Sequence, residues 1–430
     1  MTKEPKNRVA VSRRRVLGTA AAAGALTFGV PFIPRAQAPT IRIGILHPVT
    51  GALSETGQSM RLAAQMAAEY INGNGGIKSM GGARIELVYG DTQSNADVAK
   101  TEAERLVNSG VVMLQGAFHS GHTAAIVPIA QQRQIPLMID LGSSAAITAN
   151  VAQSVREGKQ KLQYVYRVCP SSNVYAASTV KHMAELFADA GVSVKRCAML
   201  LSNDLLAQST GTRLKTEIAK ANAGFSIVDS IDYPENAVDL STEISRIKAM
   251  KPDVIIPIVR PATASIMLQE LYRQRVDYMG IIASASSGLY EPYQINALKN
   301  LIEFVMNDLP WPNFRRPRMD QISAEYSKRA NGLAFDLNSG FAYETQLVIA
   351  DVLERAKTTD PVGLVEAIKK TEFHGSISIN NGPIRFDENG DNAAGGTAML
   401  QILRGKTQVV WPKDAAETEY VFPSTKQRRP

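Results

Sequence analysis

Short apolar runs alternate with amphipathic helical stretches along almost the whole chain, and this alternation restricts the fold more than any other feature. Ile41-Arg42-Ile43-Gly44-Ile45-Leu46 is an apolar run bounded by His47-Pro48 and a loop of Gly, Ser and Thr, which reads as a strand. Behind it, Met60, Ala63, Ala64, Ala67, Ala68 and Ile71 recur at the three-and-four spacing of one helix face, and Gly73-Asn74-Gly75-Gly76 stops the helix. The pattern continues with strand Arg84–Tyr89, helix Asn95–Asn108, strand Val111–Gln115, helix Thr123–Arg133 and strand Pro136–Ile139. Parallel neighbours need a helical crossover, so the series predicts an α/β fold with a parallel sheet.

A second series starts after Tyr164–Cys169. It runs through helix Val174–Ala190, strand Cys197–Leu201, helix Leu206–Ala223, strand Phe225–Ser230, helix Leu240–Met250, strand Asp253–Val259, helix Thr263–Gln274 and strand Tyr278–Ile282. A chain of 430 residues exceeds what one hydrophobic core usually serves, so two sheets are expected rather than one very wide sheet. A strand at Leu301–Asn307 and the Pro-rich Leu309–Arg318 precede helices at Met319–Asn331, Gly340–Lys357 and Pro361–Thr371, which lack the strands for a third domain. The simplest arrangement folds these helices onto the first sheet and pairs Ser376–Ile379, Ile384–Phe386 and Thr397–Leu403 near the second. That gives a first lobe of 39–170 and 308–376 and a second of 171–307 and 377–430, with three crossings between them.

The formal charge of +7 suggests nucleic acid or an acidic surface until the charge is located. Residues 1–38 hold seven basic residues against Glu4, which leaves the remainder at +1 with no basic stripe, so no nucleic-acid partner is expected. This basic start, the uncharged run Val16–Ile33 and Ala36-Gln37-Ala38 together make a secretory signal with cleavage after Ala38. Ser12-Arg13-Arg14-Arg15-Val16-Leu17 is similar to the twin-arginine export signal, with Val16 and Gly18 where that pattern carries Phe and Lys; a general secretory signal is the alternative. Either route places the mature protein in the periplasm. No Cys near the cleavage site offers a lipid anchor, and no later apolar run of about 18 residues could span a membrane. Cys169 and Cys197 permit one disulfide, but each falls in a strand where a small apolar residue packs well.

Several chemistries lack their residues. Gly44, Gly51 and Gly57 do not make the G-x-G-x-x-G turn of dinucleotide folds, and Leu400 stands where a P-loop ending at Gly405-Lys406-Thr407 needs its first glycine, so no cofactor is expected. His119 and His122 have a spacing that could hold a metal, but no Cys, Asp or Glu lies close by in the sequence. No G-x-S-x-G or H-E-x-x-H occurs, and five histidines give catalysis little to work with, so the chain is not expected to be an enzyme.

In open α/β sheets ligands bind beyond the carboxyl ends of the strands. Those ends are Pro48–Gly57, Gly116–Thr123, Asp140–Ser144, Ser202–Leu206, Arg260-Pro261 and Ala283–Gly288, and they are rich in Ser, Thr and Gly. Ser120 precedes a predicted helix, where free amides favour an anion. Ser120, Ser143 and Ser144 are equally suited to capping helices, and from spacing alone the two roles are even.

These residues resemble a known family, the type I periplasmic solute-binding proteins of the branched-chain amino acid (Leu/Ile/Val) ABC importers. The matching stretches are Ile41–Gly57 (IRIGILHPVTGALSETG), Ala68–Gly82, Gly116–Thr148 (GAFHSGHT, then PLMIDLGSS), Gly340–Leu353 (with FAYE) and Gly382–Gly390 (GPIRFDENG), in order along essentially the whole mature chain. The resemblance implies two Rossmann-like lobes joined by three hinge strands, closing as a monomer on a small-molecule ligand that is handed to membrane permease subunits. It matches Ser120 to the serine that bonds an amino acid carboxylate, Gly142 and Ser144 to the next strand-end loop, and Thr56 to the lid residue after the first strand. His119 and Ser143 flank these positions and join the candidate set.

The second lobe departs from the family. Leu206 and Arg260 stand where tyrosines are usual, and the family's acidic partner for a ligand ammonium should lie within Ile282–Ser286, where Ser284 is the candidate and no Asp or Glu occurs. An ammonium desolvated without a carboxylate is costly, whereas Arg260 presents a fork of donors, so an organic acid, aromatic acid or amide is expected over an ordinary amino acid. Arg260 could instead form a salt bridge between the lobes. A periplasmic sensor subunit of the same fold, or an exported enzyme, is the rival reading.

Overall fold

Strand β1 (Thr40–His47) is buried along nearly its whole length because both faces of its sheet are covered, which explains a continuous apolar run in place of an alternating one. Ile43 and Ile45 meet helix side chains on one face, and Leu46 packs with Leu106 and Leu114 on the other. The computed structural model describes residues 39–424; the expected export signal and the basic tail Lys426–Pro430 lie outside the described residues.

After β1 come α1 (Ser54–Gly73), β2 (Arg84–Asp91), α2 (Ala96–Asn108), β3 (Met113–Gly116), α3 (Ser120–Gln132), β4 (Leu137–Ile139), α4 (Ala146–Arg156) and β5 (Val165–Arg167). All five strands are parallel, in the order 2-1-3-4-5. Helix α4 is absent from the sequence reading. It begins at Ala145–Ala146 with no side-chain cap, so the usual start signal is missing.

The second series is α5 (Ser172–Asp189), β6 (Arg196–Ser202), α6 (Leu205–Ala221), β7 (Ser226–Tyr233), α7 (Ser241–Met250), β8 (Val254–Ile258), α8 (Pro261–Arg273), β9 (Gly280–Ser284), α9 (Pro292–Leu298) and β10 (Met306–Leu309). Its five strands are parallel in the order 7-6-8-9-10, which repeats the winding of the first sheet. The expected pair of parallel α/β lobes is therefore present.

The last third is shared between them. Helices α10 (Met319–Arg329), α11 (Leu337–Ala356) and α12 (Pro361–Lys369) return to the first sheet, and α11 lies along α1 with Phe341, Val348, Ile349 and Val352 in one core with Ile43 and Ile45. Asp336 and Ser339 form a reciprocal cap that starts α11. Strands β11 (Ala398–Leu403) and β12 (Lys406–Trp411) add antiparallel to the edge at β10. Arg404 and Gly405, both at positive φ, make the two-residue turn between them. The sequence reading stopped at β11 and missed its partner.

One expectation is corrected. Ser376–Ile379 and Ile384–Phe386 were expected beside the second sheet, but they stay with the first lobe. The buried Glu344 carboxylate on α11 accepts from Ile377 N at 2.7 Å and Ser378 Oγ at 2.9 Å, and Phe386 packs edge-on to Tyr166 of β5. Asp391 bridges to Arg167, so the third crossing follows 391 and does not fall at 376.

Candidate functional site

The carboxyl ends of the two sheets face one chamber. From the first lobe come Phe118, His119 and Ser120 after β3, and Leu141, Gly142 and Ser143 after β4. From the second come Leu206 after β6, Arg260 after β8, Ala285, Ser287 and Tyr290 after β9, and Tyr175 on α5. Leu337 and Asn338, at the start of α11, complete it. The wall is thus largely aromatic and aliphatic, with hydroxyls, one imidazole, one amide and one guanidinium set into it.

The first-lobe loops are held from beneath. Gly142 takes φ +128°, and a Cβ there would come within 2.5 Å of Thr123 Oγ1, so only glycine lets this loop lie against α3. Arg167 is fully buried; it donates to the carbonyls of Ser143 and Ser144 at 2.8 Å each and to Thr148 Oγ1 at 3.0 Å, with Asp391 Oδ1 3.5 Å from its Nε. Deeper still, Asp140 takes His47 Nε2 at 2.7 Å and Gln115 Nε2 at 3.0 Å, and Gln115 in turn bonds Ala342 O and Gln346 on α11. This network ties β1, β3, β4 and α11 together directly below the chamber.

Charge on the second-lobe side is paired. Arg260 Nε lies 2.9 Å from Asp204 Oδ2, and its Nη2 bonds the other oxygen. Asp204 also caps α6 by accepting from Leu206 N at 3.0 Å and Ala207 N at 3.1 Å. Burial works to raise the Asp204 pKa, but the Arg260 charge and these hydrogen bonds outweigh it and hold the carboxyl below its ordinary value. At the rim, His119 Nε2 of the first lobe stands 2.9 Å from Glu235 Oε1 of the second, and this bond keeps Glu235 below its ordinary value. His122 packs against His119 with ring centroids 4.7 Å apart and the rings tilted by 46°; burial, and then the neighbouring ring, lower its pKa to about 4.

A family model described as a periplasmic binding protein matches residues 40–407. The chain belongs to the periplasmic binding protein family. Among relatives, the Leu/Ile/Val-binding protein homolog 7 of Brucella suis is 24% identical over 390 residues, covering 89% of this chain and 94% of that one. Among solved structures, the leucine binding protein LivK from Thermotoga maritima aligns with TM-score 0.73 at 21% identity, covering 86% of this chain and 97% of that one. A solute binding protein of an ABC transporter from Rhodopseudomonas palustris, in complex with 3,4-dihydroxy benzoic acid, aligns with TM-score 0.70 at 18% identity, covering 90% and 99%. The family and fold are those of substrate-binding proteins and not of enzymes.

In this periplasmic binding protein, the candidate residues His119, Ser120, Gly142, Ser143, Leu206 and Arg260 line the chamber. Ser120 is the first residue of α3 and His119 is its cap, accepting from Gly121 N through Nδ1 at 3.3 Å, so the capping role considered for Ser120 belongs to its neighbour. Ser120 Oγ accepts from Ser144 N at 3.2 Å, and Ser143 Oγ is 3.1 Å from Tyr175 OH. Neither Ser143 nor Ser144 caps α4.

Three expected residues sit outside the chamber wall. Ser144 is buried behind it. Ser284 turns away to Thr179 Oγ1 at 2.8 Å, and Ser287 lines the wall in that loop. Thr56 lies in the first turn of α1 and lines a neighbouring cavity with Glu291, Tyr293 and Asp336. The salt bridge considered for Arg260 between lobes is also corrected: its partner Asp204 lies in the same lobe, and the pair that spans the lobes is His119–Glu235. No carboxylate lies near His119 in the sequence, but the fold brings Glu235 to it; even so, no cluster of three or more metal-ligating side chains forms among the described residues.

Tyr175, Tyr290, Asn338 and the supporting Arg167 were not found from sequence. Tyr290 OH donates to Asn338 Oδ1 at 3.0 Å, joining the second lobe to α11 across the chamber. The only available signal for Tyr290 was its position just past the Ala283–Gly288 strand end, and Asn338 was placed outside a helix that starts three residues earlier than predicted. Cys169 and Cys197 are both buried and free, as packing side chains.

Proposed function

We propose that this protein is exported to the periplasm, captures a small carboxylate-bearing ligand between its lobes and delivers it to the permease subunits of an ABC importer. One observation carries the reading: a single chamber is built from strand-end loops of both sheets, so that neither lobe alone surrounds its contents. Hinge motion about the three crossings opens and closes it, with the protein acting as a monomer.

The ligand class follows from charge and shape. No carboxylate lines the chamber, and Asp204, the partner of the lining Arg260, is already neutralised by that guanidinium and two backbone amides, so a ligand ammonium has no free carboxylate to meet there. Arg260 gives Asp204 its Nε and Nη2, which leaves its Nη1 side for a ligand carboxylate, opposite the Ser120 hydroxyl. Phe118, Tyr175 and Tyr290 give the chamber an aromatic lining suited to a ring-bearing ligand. An aromatic acid therefore fits better than leucine. The structural neighbour from Rhodopseudomonas palustris that holds 3,4-dihydroxy benzoic acid supports this choice within the same fold.

Thermal-shift titration with benzoate, 3,4-dihydroxybenzoate, leucine and isoleucine tests it, because a ligand bound only to the folded state raises the melting temperature. Aromatic acids should raise it and the amino acids should not. A shift with leucine and none with the benzoates overturns the ligand class.

A further inference from the structure

Next to the chamber, two carboxyl groups from opposite lobes share a second cavity. Glu291, at the start of α9 in the second lobe, is 2% exposed, and Asp336, which caps α11 in the first, is 5% exposed. Glu55 on α1 lines the same cavity, along with the hydroxyls of Thr56, Ser59, Tyr293 and Tyr326. The cation that acts on Glu291 is Arg260, already tied to Asp204; Arg273 of α8, Lys406 of β12 and Lys299 of the turn Lys299–Leu301, the elements packed on α9, are exposed. Two ionised carboxylates in such a place repel each other and lack the water that would solvate them.

Hydrogen-bond donors decide which of the two gives way. Asp336 Oδ1 accepts from Asn338 N at 3.0 Å, Ser339 N at 3.0 Å and Ser339 Oγ at 2.9 Å, and Oδ2 faces Asn338 Nδ2 at 3.4 Å, donors that oppose the upward push of burial on its pKa. Glu291 takes the Gly288 amide on one oxygen, while its Oε1 is buried without any partner. We propose that Glu291 is a proton-binding site between the lobes: closure around a ligand takes up one proton from solvent onto this carboxyl, and opening releases it. The inference rests on the reading that the lobes open and close.

The thermodynamic sign follows from burial. Desolvation, and then Asp336, push the Glu291 pKa from 4.5 to about 8 in this closed arrangement. When the lobes part and both carboxyls meet water, Glu291 returns toward its ordinary value. The closed form therefore binds more protons than the open one, and closure weakens as pH rises. Between about pH 5 and pH 8 one linked proton changes the closed-to-open ratio by up to about tenfold per pH unit.

Small-angle scattering of the mature chain without ligand, from pH 5.5 to 8.5, reads this directly. The wild type should expand as pH rises, whereas Glu291→Gln, which mimics the protonated side chain, should keep the low-pH dimensions throughout. Asp336→Asn keeps the cap but removes the repelling charge, so its expansion should end at a lower pH than that of the wild type; this variant decides the matter if Glu291→Gln does not fold. Wild-type dimensions that do not change with pH, or variants that follow the wild-type profile, overturn the proposal. Adding 3,4-dihydroxybenzoate separates the two readings: failure to compact the protein at any pH overturns the ligand class and leaves the ligand-free profile to decide on the proton.

Discussion

Replacing Arg167 with Met should loosen the first-lobe side of the site and destabilise the fold together, because one guanidinium holds both. The side chain makes three hydrogen bonds, to Ser143 O, Ser144 O and Thr148 Oγ1, and stands beside Asp391. Bonds from a charged donor contribute about 1.5–3 kcal/mol each, which sets a ceiling of roughly 4.5–9 kcal/mol. Methionine escapes the guanidinium's desolvation and fills part of its volume, so a loss of about 3–5 kcal/mol is expected, in the range for breaking a buried ion pair. Burial already lifts the Asp391 pKa, with Arg167 opposing it. Without Arg167 the Thr148 hydroxyl is what remains against the lift, so the variant's folded state binds a proton at higher pH and its deficit shrinks as pH falls. Adding Asp391→Asn should recover about 1 kcal/mol or more at neutral pH. Urea unfolding of the three proteins at pH 7 and pH 5 measures these differences. A loss under about 1 kcal/mol, or a deficit that grows on acidification, would refute the reasoning.

Three further outcomes are expected. Arg260→Ala should weaken binding of an aromatic acid by about 1.5–3 kcal/mol against about 1 kcal/mol for Ser120→Ala, with Asp204→Asn restoring part of the first loss because it removes a stranded charge; calorimetry on these variants checks the order. Glu235 is held below its ordinary value of 4.5 by His119, so its contribution is present at neutral pH and lost as pH falls through the depressed value; Glu235→Gln should flatten the acid limb of the stability profile in urea titrations between pH 3 and pH 7. Changing Arg13 and Arg14 together to Lys should block export, and the mature protein should begin at Pro39; fractionation and N-terminal sequencing check both.

The two sheets were legible because each strand carries its own apolar run and each crossover helix its own periodicity, as β1 and α1 show. Gly142 and Ser120 were legible because loops at strand ends are local in sequence. What escaped was long-range. Asp204 and Arg260 are 56 positions apart, and nothing in either neighbourhood announces the pair. Arg167 lies within the run Tyr164–Cys169, and its buried role depends on Ser143, Ser144 and Asp391, which meet only after the chain has crossed between lobes twice. Ser284 failed for a different reason: alternation along β9 sets which side its hydroxyl takes, and the loop beyond it, not the strand, reaches the chamber.

The interleaving of segments also sets the order in which the protein can be made. The first lobe lacks the helix that covers β1 until residue 356 has been synthesised, and the second lacks its edge hairpin until residue 411. Neither half can therefore finish folding as the ribosome releases it, although each has its parallel strands long before. Both must wait until late in synthesis, the first with an apolar sheet face incompletely covered and the second with a bare sheet edge. A truncation in the last quarter of the chain should then damage the two lobes alike, and a nascent chain stalled before α11 is the form most in need of a chaperone.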